Sequence, residues 1–348
     1  PTAAAPSTVT VMGAKLTVLP SAQADLAAFK VGDKVTLLLT TTGQVAGAVS
    51  PDVAKSNAVG VAEVKGTMAT IKLLDGILTL EGKTTYSEAA AAKLNGCLVT
   101  VSSYKRDYLT LSKVNGKGAS TALNLTTNRM GTKELSAGAR FFEQVSNGRL
   151  VEIDRSDITI TSIPANKITY VGYDWAGRVD KLVLNDVTGD CYDYGMIYYR
   201  AAGYEESKDD GSEGSYQIRV TNGSGEHTYV VGSVDGAKTN RMGGVAGSLD
   251  QLDGKNRMAA FMPLNEATGI RRAQFDTDAM LLTTNSMVIP ISDKVECYNK
   301  TTGDWFKPGE DGDHKAALNL ALAFSDDITV YYDRSPEEGG KVRIVVVE

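Results

Sequence analysis

The side chains best suited to acid–base or nucleophilic chemistry are few, because the sequence contains two histidines and three cysteines. His227 lies beside the edge of a predicted strand and His314 lies in a charged turn before a predicted helix, so we expect each to be solvated or to cap an element. Cys97, Cys191 and Cys297 lie in or beside strand patterns, where a small buried hydrophobic residue is the usual role. No catalytic triad is evident, and no neighbour that would lower a cysteine pKa is apparent. The sequence therefore predicts no catalytic residue.

Two acidic clusters have the composition of a calcium-binding loop, since calcium takes about six to eight oxygen ligands from carboxylates and carbonyls. The first cluster contains Glu205, Glu206, Asp209, Asp210 and Glu213, and the second contains Glu310, Asp311 and Asp313. Neither has the residue order of an EF-hand, and charged surface loops have the same composition. The sequence predicts no cofactor, with calcium as the alternative.

Two tryptophans lie in predicted hairpin turns, Trp175 in GYDWAGRV and Trp305 in GDWF. An exposed aromatic ring in a turn can stack on a sugar ring or on a protein partner. The alternative is that each ring covers the end of its own barrel. A glycoside hydrolase would need two carboxylates that meet in space, and no sequence spacing identifies such a pair. Most acidic residues here lie in turns, where a local hydrogen-bonding role explains them.

Composition narrows the class of protein. The chain has 348 residues, 42% of them apolar, which is enough to fill more than one core. Abundant glycine and Thr/Val/Ile-rich runs between Gly, Asn and Asp clusters favour strands and tight turns. The net charge of −6 argues against nucleic acid as a partner, and no apolar run approaches the roughly 20 residues of a membrane helix. Three scattered cysteines do not settle the compartment.

Strand and turn signals dominate the chain. The runs at 34–49, 70–82 and 217–232 predict hairpins, with Gly43, Asp75-Gly76 and Asn222-Gly223 at their turns. Helices are predicted at 86–96, where Ser87 caps the start and Gly96 ends the helix, and at 314–324. The opening PTAAAPSTVTV lacks the basic and apolar regions of a signal peptide, so we expect a trimmed piece of a longer protein with a linker-like segment at 1–25.

The second half of the chain repeats the first. LTTNRM (125–130) returns as LTTNSM (282–287), VGVAEV (59–64) as YGMIYY (194–199), and the hairpin at 167–184 as the one at 327–347. Matches in the same order predict a duplicated β unit. We assign the copies to 26–184 and 185–348, with sub-boundaries near 116–120 and 276. The predicted fold is mostly β, with tandem small barrels or sandwiches and short helices.

The segments VTGDCYDYGMIYY, GYDWAGRVDKLVL and YYDRSPEEGGKVRIVVVE resemble the β-rich repeat regions of Gram-positive surface proteins that carry S-layer homology domains, notably in gut Firmicutes. The resemblance runs from about residue 26 to the end. It implies a location at the bacterial cell surface or cell wall, and a role as a spacer or adhesive module. No S-layer homology module is visible, so wall anchoring cannot be assigned to any residue here.

The function predicted from these observations is that of a non-enzymatic structural or interaction segment of an exported surface protein. Its expected partners are the cell envelope or neighbouring copies of the surface protein. The alternative is an adhesin that binds a glycan or a host protein through turn aromatics. A cell-wall polysaccharide hydrolase is the third possibility.

Overall fold

The structure is a computed structural model. It describes residues 7–27, 29–49, 58–74, 76, 79–105, 108–114, 119–146, 148–174, 177–200, 216–231, 241–248 and 256–348. The predicted fold class is confirmed, since these residues form several small β-sheets and barrels with few short helices. The chain divides into two compact units, unit 1 (Pro1–Val114) and unit 2 (Asn115–Glu348). No helix in the described ranges is long and apolar enough to cross a membrane.

Unit 1 begins with two hairpins around a short helix. Its elements are β1 (Thr8–Val11), β2 (Ala14–Thr17), α1 (Gln23–Ala27), β3 (Thr36–Leu39) and β4 (Val45–Val49). The predicted hairpin at 34–49 is confirmed, with Gly43 in the left-handed region at φ 77°. Strands β1 and β2 pair across a Met12–Gly13 turn and share a small core with α1. Residues 8–27, which fall largely in the segment predicted to be linker-like, are thus folded.

The rest of unit 1 is a closed five-stranded barrel, here called the first barrel. Its elements are β5 (Ala58–Lys65), β6 (Met68–Leu73), β7 (Thr79–Thr84), α2 (Glu88–Ala92), β8 (Leu98–Lys105) and β9 (Tyr108–Lys113). The strands close in the order β5-β6-β7-β9-β8, with β7 and β9 parallel. Alternate residues point inward, as the pattern predicts: Ala69 and Ile71 on β6, and Leu109 and Leu111 on β9, are buried.

Two predictions fall in this barrel. The hairpin at 70–82 is confirmed by the pairing of β6 with β7, while Asp75 lies outside the described residues. The predicted helix is present but shorter, ending before Gly96, which has a φ of 71°. A barrel of strand order 1-2-3-5-4-1, with a helix between its third and fourth strands, has the topology of the OB fold.

Unit 2 begins with the first sheet. Its strands are β10 (Leu123–Asn124), β11 (Arg129–Met130), β12 (Lys133–Gln144), β13 (Val151–Ile153), β14 (Ser162–Ile163), β15 (Ile168–Tyr173) and β16 (Val179–Asn185). The long strand β12 pairs with β16 in parallel and with β13 antiparallel, and β15 pairs with β16. The predicted hairpin at 167–184 is the β15–β16 pair.

The second barrel follows. Its strands are β17 (Asp193–Arg200), β18 (Tyr216–Asn222), β19 (Gly225–Val231), β20 (Arg241–Gly247) and β21 (Met258–Pro263). They form a sheet in the order β19-β18-β17-β20-β21, and a parallel bridge between Val230 and Arg257 joins its two outer edges. This is the strand order of the first barrel. The predicted hairpin at 217–232 is the β18–β19 pair.

The last sheet completes unit 2. Its elements are β22 (Asn265–Ile270), β23 (Phe275–Asp276), β24 (Leu281–Thr283), β25 (Val288–Asn299), β26 (Asp304–Phe306), α3 (His314–Phe324), β27 (Ile328–Tyr332) and β28 (Val342–Val347). The long strand β25 pairs with β28 in parallel and with β26 antiparallel, and β27 pairs with β28. Helix α3 buries Leu318, Ala321 and Leu322 against this sheet, and the predicted helix at 314–324 is confirmed.

The predicted duplication is therefore present in the topology, because a barrel followed by a sheet occurs twice in the chain. One pair of glycines gives a steric reason for the match. A Cβ on Gly60 would lie 2.2 Å from the carbonyl oxygen of Lys72, and one on Gly195 would lie 2.3 Å from that of Thr221. The first strand of each barrel thus needs glycine where it crosses the second strand closely.

The repeated hexapeptide does not mark equivalent positions, so the predicted match of LTTNRM with LTTNSM is wrong in register. Asn128 and Met280 both have positive φ, 52° and 50°, and their carbonyls accept the N–H of Leu135 on β12 and of Ile291 on β25. LTTN at 125–128 is thus equivalent to TDAM at 277–280. The later LTTNSM forms β24 and the turn after it, because that turn is longer than the β11–β12 turn.

Candidate functional site

A buried ionic network, here called the Arg343 network, lies where the first sheet, the second barrel and the last sheet meet. Arg343 on β28 has a side chain only 1% exposed. Its Nε donates to Asp333 Oδ2 at 2.9 Å, and its Nη1 donates to Asp190 Oδ1 at 2.7 Å. The guanidinium also lies 4.8 Å from the centre of the Tyr194 ring on β17. One side chain therefore contacts the last sheet, the β16–β17 connection and the second barrel.

A second cation extends the network to the first sheet. Lys341 Nζ lies 3.5 Å from carboxylate oxygens of both Asp157, which follows β13, and Asp190. Burial alone would raise the pKa of Asp190, but Arg343 and Lys341 lower it below its usual value. The Asp190 carboxylate is therefore held charged between two cations.

The connection that carries Asp190 is fixed by a buried carboxylate of the first sheet. Glu143 on β12 is fully buried and accepts hydrogen bonds from the backbone N–H groups of Val187, Thr188 and Asp190. Gly189, with a φ of 77°, completes the turn. A Cβ at Gly189 would lie 2.5 Å from Asp333 Oδ2 and 2.6 Å from Arg343 Nη2, so glycine is required by both space and backbone conformation.

A polar cavity of about 220 Å³, here called the histidine cavity, opens beside the network. Its floor includes Arg343, Asp190 and Tyr194 of the network. The other lining residues come from the second barrel and the last sheet: Tyr192, Asp193, Asn222, Ser224, His227, Lys294, Glu296 and His314. The two histidines of the sequence, 87 positions apart, therefore meet in one cavity.

Glu296 is the buried acid of this cavity. Its Oε2 accepts the backbone N–H of Gly223 at 2.8 Å, and its Oε1 lies 3.7 Å from His314 Nδ1. Burial raises the pKa of Glu296 to about 7, although the hydrogen bond from Gly223 opposes this. Carboxylates with such a pKa exchange protons near neutrality and occur often at functional sites.

The hairpin turn that carries Gly223 packs tightly on the last sheet. A Cβ on Gly223 would lie 2.6 Å from the carbonyl oxygen of Phe306 and 3.1 Å from Pro308 Cδ. The left-handed residue of this turn is Gly225, at φ 131°, so Gly223 is needed for space rather than for backbone conformation. The cavity thus depends on close contact between the β18–β19 turn and the last sheet.

Sequence reasoning treated the histidines as separate and missed the cavity. The side chain of His314 is only 14% exposed, and its Nδ1 also lies 3.1 Å from the carbonyl oxygen of Val295. The cap of α3 is instead Asp313, whose Oδ1 accepts the N–H of Ala316. No sequence pattern joins His227 to His314, because their proximity depends on how the second barrel packs on the last sheet.

Of the two cysteines of unit 2, Cys297 is buried as predicted and Cys191 is half-buried. Burial, followed by the charge of Glu143, raises the pKa of the Cys191 thiol far above its usual value. Burial, followed by Glu296, does the same for Cys297, which is completely enclosed. Neither thiol has the lowered pKa that a nucleophile requires.

Only some of the predicted ligand residues lie in the part of the chain that the structure describes. Trp175 and the cluster from Glu205 to Glu213 lie outside the described residues. Trp305 is half-buried, with its ring centre 4.9 Å from that of Tyr298, in the apolar cluster between the second barrel and the last sheet. Trp305 lies on strand β26 of the last sheet, whereas the sequence predicts it in a hairpin turn, either exposed or covering the end of its own barrel.

The second acidic cluster, Glu310, Asp311 and Asp313, forms the turn before α3. Across the described ranges, no group of three or more His, Cys, Asp or Glu side chains is arranged to hold a metal ion.

No family model, no curated protein and no solved structure matches this chain. The OB topology of the first barrel carries no function by itself, since one fold supports many activities.

Proposed function

We propose that the chain is a non-enzymatic structural and interaction segment of an exported bacterial surface protein of the S-layer type. The observation that carries this proposal is the Arg343 network, which ties three small sheets of unit 2 together through buried charges. A surface segment that spans or pads an envelope must resist separation of its parts. The network serves that purpose because separating the sheets would break the Arg343–Asp190 and Lys341–Asp157 ion pairs together.

Contacts between the sheets support the same role. The sheets of unit 2 have seven, five and seven strands, and they share buried side chains where they meet. In unit 2, Tyr194 of the second barrel packs in one apolar cluster with Ile344 and Val346 of the last sheet. The backbone of Arg149, after β12, also donates to Gly247 of β20 at 2.9 Å. Apolar packing, backbone bonds and buried charges thus act together at the same junctions.

Single-molecule stretching of the whole chain tests the structural proposal. Unit 2 is expected to unfold in one cooperative event. In Arg343→Met the event should separate into steps at lower force, while Arg140→Met, at the equivalent strand pair of the first sheet, should keep the single event. Separate steps in the unaltered chain would contradict the proposal.

Two further measurements test the proposed cell-surface location and the proposed absence of catalytic activity. An antibody raised against the purified chain should label intact producing cells, and labelling only after permeabilisation would contradict export. Purified chain should release no soluble fragments from peptidoglycan or cell-wall polysaccharide. Release of fragments that depends on Glu296 would favour the hydrolase instead.

The adhesin or glycan-binding alternative is favoured by one observation, the histidine cavity. The half-buried Trp305 does not add to it, because its ring packs against Tyr298.

A further inference from the structure

We infer that the histidine cavity binds one neutral, hydroxyl-rich ring, the chemistry of a single sugar residue of a glycan. This inference adds a ligand site to the structural role proposed above and does not depend on it. It rests on the size of the cavity, on the kind of groups that line it and on their balance of charge.

The size of the cavity admits a small ligand. Sites for drug-sized molecules usually have volumes of about 300–1,000 Å³, whereas the histidine cavity has about 220 Å³. Its rim is open on the side of Ser224 and Lys294, both of which are exposed. One ring of a longer chain can therefore enter while the rest of the chain stays outside.

The lining offers hydrogen-bond donors and acceptors together. Glu296 and Asp193 supply carboxylate oxygens, and Lys294 and His227 supply nitrogen atoms. A hydroxyl group donates one hydrogen bond and accepts others, so a ring with several hydroxyls matches a mixed lining of this kind. A purely apolar ligand would pair with none of these groups, and a purely basic ligand would not pair with the nitrogen atoms.

The balance of charge argues against an ion as the ligand. Asp190 on the floor already pairs with Arg343, and the charge of Lys294 at the rim also stabilises the Asp190 carboxylate. Glu296 exchanges its proton near neutrality, because burial raises its pKa to about 7. An anion would meet the carboxylates, and a metal cation would find no group of three suitable ligands in the described residues.

Several of the cavity groups are held in place before any ligand arrives. The Asn222 amide donates to the Tyr194 carbonyl at 3.0 Å, Asp193 accepts the Tyr229 hydroxyl, and Glu296 accepts the Gly223 N–H. Groups fixed in this way lose little freedom on binding, which improves affinity.

The two histidines provide a direct reporter. Because the sequence has no others, the imidazole signals in an NMR spectrum of the whole chain come from His227 and His314 alone. The variants His227→Gln and His314→Gln assign the two signals. The probes are glucose, N-acetylglucosamine and myo-inositol as neutral rings, with inorganic phosphate and Ca²⁺ as ions.

At least one neutral ring is expected to shift both signals along a saturable curve. Ser224→Trp, which places a large ring at the rim, should abolish the shift, and Glu296→Gln should weaken binding by about tenfold, the effect of losing one good hydrogen bond. The matched control Ser286→Trp, in the exposed β24–β25 turn, should bind as the unaltered chain does.

The inference is overturned if no neutral ring shifts the signals, if the shift survives in Ser224→Trp, or if only phosphate or Ca²⁺ produces it. A ring that binds and is also cleaved from a longer glycan would support the site and contradict the non-enzymatic role. Absence of binding would leave the stretching result untouched, so the two proposals fail separately.

Discussion

In the first sheet, Arg140 on β12 lies toward the surface, and its Nε and Nη2 each lie 2.7 Å from a carboxylate oxygen of Glu152. The pairing of β25 with β28 places Glu296 at the equivalent position of the last sheet. There the carboxylate is buried beside the histidine cavity. The same strand scaffold therefore carries a solvated ion pair in one copy and a buried acid in the other.

A second pair of equivalent positions differs in the same way. Asp180 on β16 is partly exposed and pairs with its neighbour Lys181, whereas Arg343 on β28 is enclosed and holds two carboxylates. The last sheet is covered by the β16–β17 connection and by the second barrel, which accounts for both differences. The strand pairing is thus the same in both copies, whereas the charged residues differ because each copy packs against different neighbours.

The largest difference between the sheets is expected from removing the buried cation. Arg343→Met removes the cation that pairs with Asp333 and leaves Asp190 with Lys341 alone, and breaking a buried pair typically costs about 3–5 kcal/mol. Arg140→Met removes an exposed pair, for which about 0.2–1 kcal/mol is usual. Urea unfolding of the whole chain, with a probe in unit 2, measures both. Equal losses of unfolding free energy in the two variants would contradict the expectation that the buried pair is costlier to break than the exposed one.

The acids at these sites should give opposite pH dependences. The pKa of Glu296 is raised by burial to about 7, above its ordinary value of 4.5, so the folded chain binds more protons than the unfolded chain between these values. Its contribution to stability is complete below about pH 4.5 and is lost as pH rises to 7, by at most about 3 kcal/mol. The hydrogen bond from Arg140 lowers the pKa of Glu152, so its contribution is lost as pH falls.

Unfolding free energies measured from pH 4 to pH 8 check this contrast. Glu296→Gln should reduce the fall in unfolding free energy between pH 4.5 and 7. It should also make unit 2 more stable than in the unaltered chain at pH 8. Glu152→Gln should leave that fall in place and change only the acid side of the profile. A Glu296→Gln profile that matches the unaltered one would mean that the carboxyl titrates normally.

Much of the scaffold was readable from the sequence, and the reasons are local. Alternating apolar residues, a left-handed Gly43 and the match of Gly60 with Gly195 are set by strand geometry and close approach of neighbouring strands. LTTNRM and LTTNSM share five of six residues, but a match of six positions is too short to fix a register. The turn before β25 is longer than the turn before β12, so the second segment falls at a later position in its copy.

The site was not readable, because it depends on contacts between distant elements. His227, Glu296 and His314 meet only when the β18–β19 turn packs on the last sheet. Arg343 lies in the run VRIVVV, where an arginine in a buried strand was the one available sign of a buried counter-charge. Its partner Asp190 lies 153 positions away, so sequence spacing could not identify it.

The smallest of the predicted effects concerns the space at Gly223. In Gly223→Ala the new Cβ would lie 2.6 Å from the Phe306 carbonyl oxygen and 3.0 Å from Glu296 Oε2, so the turn must move away from the last sheet, at a cost of about 1–3 kcal/mol. Gly138→Ala on β12 of the first sheet is the matched control, because its Cβ meets nothing within 4 Å. We expect unfolding measurements to separate the two variants, and His314 to become more exposed in the first alone. If Gly138→Ala destabilises unit 2 as much, the close approach at Gly223 is not what positions the cavity.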